Sequence, residues 1–148
     1  MNFLLDTNVV SEAMRKQPSS RVLRWIGEQV EESLFISVIT VGELRRGSLI
    51  LSEGKKRRSL LRWIETGIKA EFANRILPVD TAVMERWADL QAATMKAGRR
   101  LPVMDSILAA PALTHDLGHA QRNPAAFEAD VVAVLTPVPV QPGIPSTP

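Results

Sequence analysis

Three carboxylates stand where apolar runs end or begin. Asp6 closes the run Phe3-Leu4-Leu5, Glu43 lies in "ITVGELRRG", and Asp105 lies in "LPVMDSILAA". Leu5, Val41, Leu44, Val103, Ile107 and Leu108 flank them with core-type side chains. Gathered in a half-buried crevice, three such acids would repel one another and hold their protons too long. A divalent cation removes that conflict, and magnesium is commonly held by one or two direct carboxylates plus water. Such an ion activates water and offsets charge on a phosphate, which is the chemistry of phosphodiester hydrolysis. Each acid also has a plainer reading. Asp6-Thr7-Asn8 suits a turn or helix cap, Thr40-x-x-Glu43 fits a capping box, and Asp105 favours a helix amino terminus.

The elements that must position these acids are short. Phe3–Leu5, Leu34–Ser37 and Ile76–Val79 read as strands buried on both faces. The polar stretch Gly118–Asn123 stands where a fourth is needed, and Val131–Leu135 reads as a final strand. Between them, helices are expected from Asn8 to Arg15, from the break at Pro18-Ser19-Ser20 with Val22, Leu23, Ile26 and Val30 as its stripe, and from Thr40 to Leu51. A longer helix carries Leu61, Ile64, Ile68 and Phe72. Another holds Val83, Trp87 and Leu90 and stops near Gly98, and the last runs from Asp105 to Leu113. Pro111 is expected to kink or shorten that last helix, at a cost of about 3 kcal/mol. Strands alternating with helices imply an α/β fold with a parallel sheet covered on both faces.

At 148 residues and 45% hydrophobic content, the chain has material for one core. A single domain is expected over residues 1–136, followed by a proline-rich, extended tail over 137–148. There are no cysteines, which excludes thiolate sites and disulfides. Two histidines, His115 and His119, are too few for a histidine-built zinc site and read as structural. Any metal is therefore expected on carboxylate oxygen, as Mg2+ or Mn2+. The net charge is +2, but the cations cluster at Arg45-Arg46, Lys55-Lys56-Arg57-Arg58 with Arg62, and Arg99-Arg100, which suits phosphate or an acidic partner. Trp25, Trp63 and Trp87 fall on or beside helix stripes and read as core or interface residues. With no leader-like start and no apolar run approaching 18 residues, a cytoplasmic protein that does not enter a membrane is expected.

"FLLDTNVVSE", "SVITVGELRRG" and "GRRLPVMDSILAA" resemble, in order and spacing, the signatures of PIN-domain proteins, most closely the VapC toxins of toxin–antitoxin pairs. The likeness runs from Asn2 to about Phe127. It implies a three-layer α/β/α sandwich, a homodimer, Mg2+- or Mn2+-dependent ribonuclease activity on RNA, and a cognate VapB-like antitoxin that blocks the site. Carried over by position, Asp6, Glu43 and Asp105 match the family's acidic cluster, and Thr7 and Asn8 shape its edge. Arg45, Arg46 and Arg122 are expected to meet RNA or the antitoxin's acidic end. The late segment "AQRNPAAFEAD" departs from the pattern: Gln121 replaces a Thr or Ser, and Ala126 stands before Phe127 where a fourth acid belongs. Two accounts follow, a three-acid nuclease or a degenerate PIN domain that binds and dimerises but cleaves poorly. A phosphoaspartyl enzyme of the haloacid-dehalogenase type would need an acid where Asn8 stands, and a receiver domain would need paired acids and a late lysine.

Overall fold

The computed structural model describes residues 1–122 and 132–135. Its strands are β1 (Phe3–Leu5), β2 (Leu34–Ser37), β3 (Ile76–Leu77), β4 (Gly118–Arg122) and β5 (Val132–Leu135). They form one sheet in the order β3-β2-β1-β4-β5. The first four run parallel, with Phe3 beside both Leu34 and Gly118. β5 runs antiparallel to β4 at the edge, a departure from the all-parallel expectation. Mixed sheets commonly carry such an edge strand.

Period-two alternation sends neighbouring residues to opposite faces. Leu5, Leu34, Ile36, Ile76 and Ala120 face one core, and Leu4, Phe35 and Leu77 face the other. The first face is covered by α1 (Thr7–Ser11), α2 (Ser20–Gly27), α3 (Val38–Leu49) and a long helical stretch. That stretch comprises α4 (Lys55–Arg62), a π-helical turn over Trp63–Ile68, and α5 (Lys69–Glu71). Trp25 packs edge-on to Phe3 with ring centroids 5.2 Å apart, and Trp63 also packs against this core. The second face is covered by α7 (Val103–Thr114), on which α6 (Thr81–Lys96) packs. Trp87 of α6 donates to Ser106 Oγ of α7 at 2.9 Å. The result is the three-layer α/β/α arrangement expected from the sequence.

Several boundaries differ from the reading of the sequence. α3 starts two residues early because Ser37 caps it, accepting from the Ile39 N–H at 3.1 Å. Val30, placed on the α2 stripe, lies beyond that helix and is exposed, as in part is Leu23. β3 stops at Leu77, before Pro78, and Asp80 caps α6, accepting from the Val83 N–H at 3.0 Å. Pro111 neither stops nor shortens α7, which runs on to Thr114. Pro111 lacks a donor for the carbonyl one turn back, but its ring is fully buried and its own carbonyl accepts from His115. The polar β4 is a central strand because Gly118 and Ala120 are small enough to lie beside β1. Residues 137–148, Ala126 and Glu128 lie outside the described residues.

Candidate active site

Asp6 sits at the carboxyl end of β1, between two anchors. Its N–H donates to the Ala120 carbonyl at 2.8 Å, and its carbonyl accepts from Val9 at 3.0 Å and Val10 at 3.2 Å. α1 has only five residues, too few to be stable alone. Val9 and Val10 are buried in the core and hold it there, each worth about 1.5–3 kcal/mol. Asp6 occupies the cap position through its backbone, yet its carboxylate makes no capping hydrogen bond. The plain cap reading of this residue therefore fails. Burial holds its carboxyl above the usual range, His119 and the Thr7 N–H pull it back down, and the Asp105 charge pushes it up again.

Glu43 comes from the second turn of α3. Thr7 Oγ1 donates to Glu43 Oε1 at 2.8 Å, so the first residue of α1 ties the acid of α3 to the end of β1. The capping-box reading of Thr40 and Glu43 also fails, because Ser37 is the cap and the Glu43 carboxylate turns toward Thr7. Arg46 Nη2 lies 4.0 Å from Glu43 Oε2 and is largely exposed. A groove of about 210 Å3 lies beside this pair, lined by Val38, Ile39, Gly42, Glu43, Arg46 and Met104.

Asp105 stands in the first turn of α7 and is exposed, and Val103 beside it is 58% exposed. The semi-buried crevice expected around all three acids therefore exists at Asp6 and, in part, at Glu43. Asp105 reaches the site through its charge on Asp6. Among the described residues, no three acidic or histidine side chains close around one point that could hold an ion. The donor chemistry nonetheless fits a hard cation: the nearby oxygen donors are carboxylates, and burial raises the Asp6 carboxyl, with a smaller push from Asp105, so its charged form is one a cation would stabilise.

The remaining expected site residues separate. Asn8 is exposed at the rim. Arg45 turns to Glu65, 3.9 Å away, and leaves the acids. Arg122 lies on β4, two residues past Ala120. His119 gave no signal in the sequence beyond being polar within a strand. Its side chain is nine-tenths buried, and its Nε2, 4.0 Å from Asp6 Oδ1, has no hydrogen-bond partner among the described residues. Burial lowers its pKa and Asp6 partly restores it. Thr40, fully buried, was read only as a cap, yet its hydroxyl lies 3.1 Å from that of Thr7.

The PIN domain model matches residues 3–129 of the chain. Toxin FitB of Neisseria gonorrhoeae is 40% identical over 134 residues, which covers 90% of this chain and 96% of FitB. VapC ribonuclease Y4jK of Sinorhizobium fredii is 36% identical over the same length, again covering 90% and 96%. The crystal structure of FitAcB from Neisseria gonorrhoeae matches with a TM-score of 0.80 at 40% identity, over 91% of this chain and 97% of that one. VapBC2 from Rickettsia felis, bound to promoter DNA, shares the fold with a TM-score of 0.65 at 19% identity, over 88% and 96%. On both sequence and architecture, this chain belongs to the PIN domain family, alongside the FitB and VapC toxins.

Proposed function

We propose that this protein is a divalent-metal-dependent endoribonuclease and the toxin of a toxin–antitoxin pair. The observation that carries this reading is the tie from Asp6 to Glu43 through Thr7, across the carboxyl ends of adjacent parallel strands. Open α/β sheets collect their ligands there. The names of the relatives, a toxin and a ribonuclease, support the same class of chemistry.

Asp6 and Glu43, with Asp105 at the open side, would hold Mg2+ or Mn2+. When bound, the ion lowers the pKa of a coordinated water and offsets charge on the scissile phosphate. The chain's own residues position that chemistry. Thr7 fixes the Glu43 carboxylate, Arg46 presents an exposed guanidinium to phosphate at the groove, and Asn8 lines the rim. Arg122, on the strand next to Asp6, serves the substrate or the antitoxin. Arg45 acts outside the acids, with the exposed cations of α4. The relative FitB is a toxin, and a structure from Klebsiella pneumoniae that shares the fold is a toxin–antitoxin complex, which together support an antitoxin partner here. The exposed apolar side chains Val38, Leu101, Val103 and Met104 suit such a partner or a second copy in a homodimer. Among the described residues no helix is long and apolar enough to cross a membrane.

A second reading, a PIN domain that binds but does not cleave, is favoured by the absence of three gathered donors among the described residues. One experiment separates the two. Total cellular RNA is incubated with the wild type and Glu43→Gln, with manganese and with chelator. Cleavage by the wild type in manganese alone supports the nuclease. Intact RNA in every arm supports the binding module.

A further inference from the structure

We infer that Thr40 is a positioning residue for Glu43, acting through a directed chain of two hydroxyl protons, Thr40 to Thr7 to Glu43. This rests on the nuclease reading and deepens it.

The direction follows from counting protons. An ionised Glu43 can only accept, so the single hydroxyl proton of Thr7 is committed to Glu43 Oε1, 2.8 Å away. The Thr7 oxygen is then left with its lone pairs. Thr40 Oγ1, at 3.1 Å, must supply the proton between the two hydroxyls. Thr40 is fully buried in the first turn of α3, where its hydroxyl requires a partner, and Thr7 is its hydrogen-bond partner among the described residues. Donation from Thr40 polarises the Thr7 hydroxyl and strengthens its bond to the carboxylate.

Two consequences follow for the site. The Thr7 proton is not available to a substrate phosphate, so Thr7 belongs to the support of Glu43 and not to the edge that meets RNA. Glu43 Oε1 is held from behind, and Oε2 is left facing Arg46 and the groove. A long, rotamer-rich carboxylate fixed before its ligand arrives loses less freedom on binding. Valine at position 40 would fill the same volume but donate nothing.

The test is a calorimetric titration of manganese into the wild type, Thr40→Val, Thr40→Ser, Thr7→Val and the Thr7→Val/Thr40→Val double variant, with Tm measured alongside. Removing a bond that supports a charged group is expected to weaken manganese binding about five- to tenfold in Thr40→Val. Thr40→Ser should retain wild-type affinity. The double variant should bind no more weakly than Thr7→Val alone, because Thr40 acts only through Thr7. Unchanged affinity in Thr40→Val, additive losses in the double variant, or a serine variant as weak as the valine would overturn the inference. A metal-free measurement keeps the two proposals apart. Three-bond NMR couplings should report one Thr7 χ1 rotamer in the wild type and Thr40→Ser and an averaged one in Thr40→Val. If the wild type binds no manganese, the nuclease reading falls while these couplings still decide the role of Thr40.

Discussion

Glu12 and Asp6 are both acids on the stretch that leaves β1, yet one is satisfied by its surroundings and the other is not. Glu12, only 1% exposed, follows α1 in a short 3-10 turn. Its Oε1 accepts from the Ser19 N–H at 2.7 Å, and its Oε2 lies 3.3 Å from Arg15 Nη1. It closes the connection from α1 to α2. Asp6 is also mostly buried, but its carboxyl is raised by burial and it lies beside an imidazole nitrogen that has no hydrogen-bond partner among the described residues. A buried charge that has its partners is structural. One left short of partners is a place where a ligand can be stabilised.

Breaking the satisfied acid should cost the most stability. Glu12→Ala leaves the part-buried Ser19 N–H without its acceptor and empties the space of a fully buried side chain, and is expected to lose about 2 kcal/mol in denaturant unfolding. Removing the unsatisfied charge should do the opposite: Asp6→Asn is expected to raise the metal-free Tm by about 2–4 °C while manganese binding disappears. A fall in Tm for Asp6→Asn would erase the contrast between the two acids.

The neighbouring imidazole sharpens the comparison through pH. Burial holds the His119 imidazole below its ordinary pKa of 6.5, so the unfolded chain binds more protons as pH falls through that value. Stability is therefore expected to drop as pH falls below 6.5, and His119→Leu should flatten that part of the curve. Asp6 carries the opposite sign. Its raised folded pKa favours the folded state as pH falls further, toward the ordinary carboxyl value of 3.8. The smallest effect belongs to the exposed cation at the rim. Arg46→Gln should change stability by no more than about 0.5 kcal/mol, while fluorescence anisotropy shows weaker binding of a short RNA with a shallower salt dependence.

The apolar periodicity made much of this architecture legible. Leu4 and Leu5 announce a strand buried on both sides, and Ile64, Ile68 and Phe72 fall on one helical face as their spacing requires. Boundaries were less legible, because Ser37 outcompeted Thr40 as a cap by accepting from a backbone N–H two residues on. Pro111 misled because a buried ring near a helix end is tolerated where its isolated propensity forbids it. The acids Asp6 and Glu43 were visible from their place at the ends of apolar runs. The groups that support them were not. Thr40 and Thr7 are 33 residues apart, and only the pairing of β1 with β2 brings their hydroxyls together. His119 reads as an ordinary polar residue until β4 sets it against the strand that carries Asp6.

The central claim is that Asp6 and Glu43 form the core of a metal site at the end of β1. Manganese titrated calorimetrically into the wild type, Asp6→Asn and Glu43→Gln tests it most directly. Saturable binding in the wild type that is lost in both variants is the result expected here. Binding that survives both substitutions, or no binding to the wild type at millimolar manganese, would contradict it.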